Sequence, residues 1–294
     1  MKGNKLLIIG IASIMLSVIV TVIVAEYLKI DNPVFLKNYC EYPINYSKDS
    51  RYSNEEFQLK YITNIKDERQ VINIVFEGLS EYDHAYVDQY SSYSHFSYSD
   101  YNNINEDSYG IYSLREVNVN LNLYFEEPPL ENITLTNAEV MFNDGSSVKI
   151  DLGEIILYYE NEMDKAITFN NSSSSSNHIF EAYGEVQRNI KVSKIYSPLF
   201  KYCNGLFKLF LGGNSYDTVE GNEYKVGDII SYNGEFINPK DIKEVYSIYN
   251  LAPKIYYVND ENKNYYRRIL NLSYKPYEYN FFNIIRYLKA VGEI

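Results

Sequence analysis

The amino terminus carries the strongest apolar pattern in the chain. The 20 residues from Leu6 to Ala25, LLIIGIASIMLSVIVTVIVA, contain no charged side chain. A helix of this length spans roughly the 30 Å hydrocarbon core of a bilayer, so the run predicts a transmembrane helix over residues 6–25. Lys2 and Lys5 precede it. The positive-inside rule therefore places residues 1–5 in the cytoplasm as a short tail and the bulk of the chain on the extracytoplasmic side.

A cleaved signal peptide is the alternative interpretation of this apolar run. Signal peptides have a shorter apolar region, of about 7 to 15 residues, and end at a small-x-small site. Here Ile23 occupies the position where a small residue is needed for cleavage after Ala25. We therefore predict an uncleaved signal-anchor, which holds a single-pass protein in the lipid bilayer of the cell membrane through Leu6 to Ala25.

Beyond the anchor, the alternation of apolar and polar residues is typical of strands. Residues 26–53 show no periodicity and predict an extracytoplasmic spacer. FQLKYIT and VINIVFEG then flank the polar NIKDERQ, which predicts an antiparallel hairpin. In VNVNLNLYF, Val117 to Phe125, apolar residues alternate with asparagine and tyrosine, as in a strand with one buried and one wet face.

Two further signals belong to the same region. In ITLTNAEVMF the alternation of apolar and polar residues shifts by one position partway along the run. This shift predicts a β-bulge near Asn137. Asn143-Asp144-Gly145 lies between alternating runs and predicts a tight hairpin, because Gly145 can adopt the positive φ that the turn requires. No helical crossover separates these strands. Residues 54–160 are therefore predicted to form an antiparallel β-sandwich-like domain.

The carboxy-terminal half follows a segment of low complexity. Residues 161–177 end in NNSSSSSN and predict a Ser/Asn-rich linker, with a loop inserted into a single domain as the alternative. Residues 178–294 predict a second β domain, in which Asn233-Gly234 indicates another tight hairpin. In its last residues, YNFFNIIRYLKAVGE has apolar side chains at helical spacing between a capping Asn280 and Gly292, which predicts a short helix.

The predicted fold class is therefore mostly β: an N-terminal transmembrane helix, one or two antiparallel β-sandwich-like domains and a short C-terminal helix. The block MFNDGSSVKIDLGEIILYYE, taken with the anchor and the predicted hairpin of FQLKYITN with VINIVF, resembles uncharacterised single-pass surface proteins of AT-rich Gram-positive bacteria. The resemblance covers about a third of the chain. It implies a surface location and a β architecture, and it implies no activity.

The composition of the chain limits the classes of partner that it can bind. The chain has 33 tyrosines, no tryptophan and a net charge of −12, from 39 acidic and 27 basic residues. Binding to nucleic acid through neutralised phosphates needs a positive surface, so no nucleic-acid partner is expected. An acidic chain suits a solvated ectodomain, and part of the tyrosine abundance reflects AT-rich codons.

The stretch from Tyr86 to Asn103, YVDQYSSYSHFSYSDYNN, is the densest concentration of tyrosine and serine. Aromatic rings in a loop can stack on sugar rings or on a protein partner, while serine and asparagine supply hydrogen bonds. A disordered tether is the alternative interpretation, although disordered segments are usually poor in aromatic residues. The candidate binding loop consists of Tyr86, Tyr90, Tyr93, Phe96, Tyr98 and Tyr101.

The two cysteines, Cys40 and Cys203, leave two alternatives open. On an oxidising side of the membrane they can form a disulfide that closes a long loop, or they can be two unrelated thiols. Neither lies in a CxxC pair or in the spacing of a zinc site.

No motif indicates catalysis, a cofactor or a metal. The three histidines are not spaced as metal ligands, and nucleophile elbows, Walker loops and dinucleotide fingerprints are missing from the sequence. The run DENKNYYRRILN from Asp260 approaches a calcium loop, but it lacks the glycine and the bidentate glutamate. Asp83-His84 and Glu126-Glu127 are the only acid and base combinations that the sequence suggests. No catalytic, cofactor or metal residue is therefore predicted.

Three functions fit these observations. The favoured hypothesis is a non-catalytic ectodomain that binds a cell-surface protein or a glycan. The alternative is a bitopic accessory or immunity-type subunit of a membrane complex, and the second alternative is a cell-surface hydrolase. A hydrolase would need two carboxyl groups facing each other across an aromatic-lined groove.

Overall fold

The computed structural model describes residues 2–46, 51–88, 106–159, 166–174, 178–260, 262–269, 271–276 and 278–294. Within them the chain forms three α-helices, one 3₁₀ helix at Pro198–Tyr202 and twenty strands. The α-helices are α1 (Lys2–Tyr27), α2 (Ile242–Val245) and α3 (Phe281–Val291). The strands are β1 (Val34–Phe35), β2 (Asn38–Pro43), β3 (Tyr52–Asn64), β4 (Val71–Phe76), β5 (His84–Asp88), β6 (Glu106–Tyr109), β7 (Tyr112–Tyr124), β8 (Ile133–Phe142), β9 (Ser147–Tyr158), β10 (Ile167–Ser174), β11 (Ile179–Val186), β12 (Ile190–Tyr196), β13 (Phe207–Leu211), β14 (Asn214–Ser215), β15 (Glu223–Tyr224), β16 (Ile229–Phe236), β17 (Ile248–Leu251), β18 (Lys254–Asn259), β19 (Asn264–Arg268) and β20 (Leu272–Tyr274).

The predicted mostly β fold class is confirmed, and the clearest local signals are too. Val117, Val119, Leu121 and Leu123 of β7 point into a core, while the residues between them are only partly buried. The pairing of β8 with β9 shifts its register between Leu135 and Asn137, as the slipped apolar phase predicted. The two strands are joined by the predicted hairpin, in which the φ of Gly145 is +83°.

Four sheets make two sandwiches that share one sheet. A sheet in the order β1-β3-β7-β5, with β6 also paired to β7, packs on the six-stranded sheet β20-β17-β2-β9-β8-β4. A sheet in the order β10-β11-β16-β13-β14 and a sheet in the order β15-β12-β18-β19 enclose the second core. The six-stranded sheet also contributes Ile156, Tyr249 and Leu272 to that second core. The two halves of the chain are therefore joined through continuous hydrogen bonding.

The predicted spacer of residues 26–53 is wrong for its central part, which forms β1 and β2. β2 lies inside the six-stranded sheet, parallel to both β9 and β17. Strands between two parallel neighbours are covered on both faces, so they lack the alternation that reveals a strand in a sequence. Here the buried positions even include Asn38 and Glu41, which are polar.

The predicted linker of residues 161–177 also differs from the structure. Ile167–Ser174 form β10, an edge strand paired antiparallel to β11. Serine and asparagine side chains carry no strand signal, but an edge strand needs little more than its backbone hydrogen bonds. Residues 160–165 and 175–177 of this segment lie outside the described residues.

Two predicted hairpins are wrong for different reasons. The strands of FQLKYIT and VINIVF follow each other in the chain but enter different sheets, since β3 pairs with β7 and β4 pairs with β8. Asn233-Gly234 lies within β16 rather than in a turn. Gly234 leaves room for Leu272, because a Cβ at this position would force the Leu272 side chain to shift.

A third cluster of buried residues lies where the two terminal helices meet the sheets. The predicted short C-terminal helix is confirmed as α3, with the Asn280 side chain accepting a hydrogen bond from Asn283 N and with Gly292 at a φ of +87°. α3 buries Ile284 and Leu288 in this cluster together with Ile30, which follows α1. The apolar segment of α1, Ile9–Tyr27, is not buried by the described residues, and it is the one described helix that is long and apolar enough to cross a membrane.

A buried ion pair ties β2 to the second sandwich. The Glu41 carboxylate lies 3.3 Å from Nη1 of Arg268 and accepts hydrogen bonds from the Ser197 hydroxyl at 2.7 Å and from Ala252 N at 2.8 Å. The guanidinium of Arg268 also donates to the carbonyl of Ala252 and stacks on the ring of Tyr158. Each charge is therefore compensated where water cannot reach it.

Candidate functional site

Of the six residues of the candidate binding loop, the structure describes Tyr86. Its side chain is 55% exposed on β5, opposite Asn120 of β7, which in turn lies opposite Glu56 of β3. These three residues belong to the solvent-facing side of the sheet. Tyr90, Tyr93, Phe96, Tyr98 and Tyr101 lie outside the described residues. The binding loop therefore stays a prediction.

The two cysteines are free thiols, so the disulfide alternative does not hold in the structure. Strand alternation is the reason. Glu41 faces Ser197 and Arg268, and its charge acts on the thiol of Cys203. Cys40 is the preceding residue of the same strand and points to the opposite face, where its sulfur lies 3.9 Å from the carbonyl oxygen of Ile248.

We predict that both thiols are unreactive in the folded protein. Burial raises the pKa of Cys40 and of Cys203 to about 12, so at pH 8 the thiolate fraction is on the order of 10⁻⁴. A dithiobis(nitrobenzoate) assay at pH 8 should detect no thiol in the native protein and two thiols after unfolding in guanidinium. Release of fewer than two thiols from the unfolded, unreduced protein would favour the disulfide instead.

The acid and base combinations suggested by the sequence do not form a catalytic pair. The Asp83 carboxylate accepts hydrogen bonds from Ser80 N at 2.9 Å and from Tyr124 N at 2.9 Å, which fixes a turn. Glu126 and Glu127 are both exposed in the connection after β7. Asp83 therefore has a structural role, and the two glutamates face solvent.

His84, His178 and the described residues of the calcium-like run do not assemble a metal site either. His84 lies on β5, and burial lowers the pKa of His178. Asp260 follows β18, in the turn that leads to β19. Among the described residues, His, Cys, Asp and Glu side chains form no group that could hold a metal ion.

A cavity with a volume of about 640 Å³ lies where β2, β17, α3 and the 3₁₀ helix meet. Each of these elements supplies one tyrosine to its wall, so we name it the tyrosine cleft. The four tyrosines are Tyr39, Tyr202, Tyr249 and Tyr287. Cavities of 300–1,000 Å³ lined by aromatic side chains and a few polar groups are the usual form of small-ligand sites.

Three of these rings form a stack with Tyr39 at its centre. Tyr39 and Tyr249 are direct partners across the parallel pair of β2 with β17, and their ring centroids are 5.4 Å apart. Tyr202, from the 3₁₀ helix, stacks on Tyr39 at 4.5 Å with an interplanar angle of 26°. The strand register and the capped 3₁₀ helix therefore fix the ring positions.

The phenol groups stay neutral. Burial, followed by the negative charge of Asp151, raises the pKa of Tyr39. The Tyr202 hydroxyl donates to Glu154 at 2.7 Å, and this hydrogen bond raises its pKa. Burial likewise raises the pKa of Tyr249 and of Tyr287. The four hydroxyls can therefore donate and accept hydrogen bonds, and none is poised as a phenolate nucleophile.

The charges that line the tyrosine cleft cancel. It is lined by three lysines and three carboxylates, which are Lys37, Lys149, Lys243, Asp151, Glu244 and Glu293. The pair of Lys37 with Asp151, at 2.5 Å, accounts for one charge of each sign. A wall with no net charge and many hydrogen-bonding groups favours an uncharged, polar ligand.

The cleft could not be found from the sequence. Its tyrosines come from four segments that are far apart in the chain, and one of these, β2, was predicted to be a spacer. The only available signal was the unusual number of tyrosines, which does not say which of them converge.

Comparisons with known proteins do not show which family the chain belongs to. No protein-family model matches the chain, and no curated protein matches it significantly. Among solved structures, the chain is similar to the D00-D0 domain of intimin, at 9% identity over 83% of this chain and 99% of that chain, with a TM-score of 0.23. It is also similar to a protein of unknown function from Porphyromonas gingivalis W83, at 9% identity over 82% and 99% of the two chains, with a TM-score of 0.25. It is similar as well to fibronectin(III)-like modules of Clostridium thermocellum CbhA, at 8% identity over 84% of this chain and 93% of that chain, with a TM-score of 0.18. TM-scores this low support no inference about the chain. The description of the fold therefore depends on its own sheets and cores.

Proposed function

We propose that the protein is a membrane-anchored, single-pass ectodomain that binds a glycan, without catalysis, in the tyrosine cleft. The membrane part is supported by α1, whose segment Ile9–Tyr27 is apolar and wholly unburied in the fold. An uncovered apolar helix of this length is unstable in water and stable in a bilayer. The lysines before it favour a cytoplasmic amino terminus.

The single observation that carries the glycan proposal is the tyrosine stack inside a cavity with no net charge. Sugar rings present C–H faces that pack on aromatic rings and hydroxyls that both donate and accept hydrogen bonds. Tyr39 and Tyr287 offer hydroxyls of that kind, and the paired charges around them supply stronger acceptors and donors. A strongly charged ligand would find no excess of the opposite charge there.

The contacts of Asp151 favour binding over hydrolysis. The cleft contains Asp151 and Glu244, and burial raises the pKa of Glu244. Burial also acts to raise the pKa of Asp151, but hydrogen bonds from Lys37 and from Gly153 N lower it below its ordinary value. Asp151 is therefore engaged in holding Lys37 and the backbone of β9, so it is not free to act as one of the two carboxylates that hydrolysis requires.

Replacing Tyr202 with alanine tests the proposal. Tyr202 is 38% exposed, so its removal should leave the fold intact while it takes away one ring of the stack. We expect binding to neutral oligosaccharides on a glycan array to weaken by about fivefold to tenfold, the value of one aromatic contact. Affinity would then be measured by calorimetry with the best oligosaccharide from the array.

Tyr196→Ala is the matched control, because Tyr196 is 44% exposed on β12, outside the cleft. It should bind as the unmodified protein does. Equal losses in the two variants, or an array that retains no neutral glycan, would contradict the proposed site. A protein that instead loses a co-purifying membrane partner when residues 6–25 are exchanged for another anchor would be an accessory subunit.

A further inference from the structure

The anchor helix enters the folded part without a flexible connection. Just after α1, Leu28 and Ile30 are buried, and the Tyr112 hydroxyl donates to the carbonyl of Leu28 at 2.5 Å. The Asn64 side chain holds the backbone of Ile30 from both sides, since its amide donates to Ile30 O at 2.6 Å and its oxygen accepts from Ile30 N at 3.1 Å. The direction of the helix therefore fixes the direction of the domain.

Two turns of the domain and the start of α3 lie near this point of entry. The turn after β3 and the turn before β7 are joined by a hydrogen bond from Ile65 N to Ile111 O at 2.8 Å. The start of α3 lies beside them, because the ring of Phe281 packs on that of Tyr112 at 6.1 Å. At the end of α1, Ile65, Lys66 and Ile111 line one cavity together with the acidic residues Glu26, Asp31 and Asp67. We name the surface around it the anchor-proximal face and add to it Tyr27, the last residue of α1, and Phe282, which follows Phe281 in the chain.

The anchor-proximal face exposes large apolar side chains next to charged ones. Phe282 is 75% exposed, and Tyr27 and Ile65 are also exposed. Further along the outer side of α3 follow Arg286 and Lys289, at the spacing that places them on the same side of the helix as Phe282. Aromatic side chains next to lysine and arginine are typical of protein surfaces at the level of lipid headgroups.

We propose that the anchor-proximal face is a second membrane-contact surface, which seats the domain on the outer leaflet with Phe282 inserted among the lipid headgroups. This inference rests on the proposed membrane anchoring. Continuity with the anchor identifies the occupant: a helix that crosses the bilayer and enters the domain rigidly brings this face to the lipid surface. Tyr27 and Phe282 then lie at the interface, and Lys66 reaches lipid phosphates.

A single introduced tryptophan can report this contact, because the chain has none. The full chain carrying Phe282→Trp would be reconstituted in vesicles of phosphatidylcholine and phosphatidylglycerol with brominated acyl chains, which quench nearby indoles. The expected result is a blue-shifted emission that loses at least half of its intensity relative to unbrominated vesicles.

Leu130→Trp is the matched control. Leu130 is 94% exposed in the connection after β7. β7 starts at Tyr112 beside the anchor and runs for 13 residues, or about 40 Å, away from it. The indole introduced at position 130 should show the emission of a hydrated tryptophan without quenching.

The possible outcomes distinguish the proposed seating of the domain on the bilayer from the proposed anchoring by α1. If the protein resists extraction at alkaline pH but the indole at position 282 is as hydrated and unquenched as the one at position 130, the seating of the domain is wrong and the anchoring stands. If alkaline washing releases the protein from the vesicles, the anchoring itself is wrong. A circular-dichroism spectrum and a thermal midpoint equal to those of the unmodified protein establish that each variant is folded.

Discussion

Replacing Arg268 with alanine is expected to lower the free energy of unfolding by about 3–5 kcal/mol, because it leaves the Glu41 carboxylate buried without its counter-charge. Both side chains are nearly inaccessible, with 7% of Arg268 and 2% of Glu41 exposed. The loss of the stack on Tyr158 adds to the effect. Urea unfolding of the full chain in detergent, followed by circular dichroism, measures the change.

The double variant Glu41→Met with Arg268→Met is the control for this prediction. It removes both charges and fills their space with apolar groups, which is often neutral for stability when a buried pair is replaced. It should therefore be more stable than Arg268→Ala. A loss below about 1 kcal/mol in Arg268→Ala would show that Glu41 finds water or another partner, since that is the range of exposed ion pairs.

Replacing Gly153 with alanine is expected to destabilise the fold by about 3 kcal/mol or more, since backbone strain and overpacking add. The φ of Gly153 is +89°, a conformation that disfavours any residue with a Cβ. A Cβ would also lie 2.7 Å from the carbonyl oxygen of Asn38 in the neighbouring β2. That oxygen belongs to the backbone of a central strand and cannot move aside as a side chain would.

Gly145→Ala separates the two causes. Gly145 has a φ of +83°, close to that of Gly153, but a Cβ there would meet no atom within 4 Å. The free energy of unfolding of Gly145→Ala should therefore fall only by the cost of the backbone strain, about 1 kcal/mol, in the same urea experiment. Equal losses at the two glycines would mean that β2 and β9 separate at little cost, which contradicts the tight pairing of Asn38 with Gly153.

The sequence predicts the local elements of this fold better than their assembly. β7, the β8–β9 hairpin and α3 carry periodic patterns, because each has one buried side and one wet side. β2 has no such pattern, since it is covered on both faces and contains Glu41, whose burial depends on Arg268 more than 200 residues later. β10 is missed for a different reason, because this edge strand ends in asparagines and serines, which carry no strand signal.

For the candidate site, too, local patterns are visible in the sequence and contacts between distant segments are not. Tyr86 belongs to the dense local cluster that the sequence singles out, but it lies on β5 and not in a loop, and its role in binding stays a prediction. The tyrosine cleft was missed, because the stack of Tyr39, Tyr202 and Tyr249 exists only when β17 returns to β2. Pairs formed between distant segments leave no trace in local periodicity.

The shared six-stranded sheet also sets the order in which the molecule can be completed. The side chain of Asn250 in β17 contacts the backbone of Glu41 in β2, 209 positions earlier in the chain. During synthesis β2 emerges about 200 residues before β17, the strand that closes its second edge, so β2 stays incompletely paired until β17 has been made. The sandwich that contains β2 is thus made early and is completed only when β17 pairs with it.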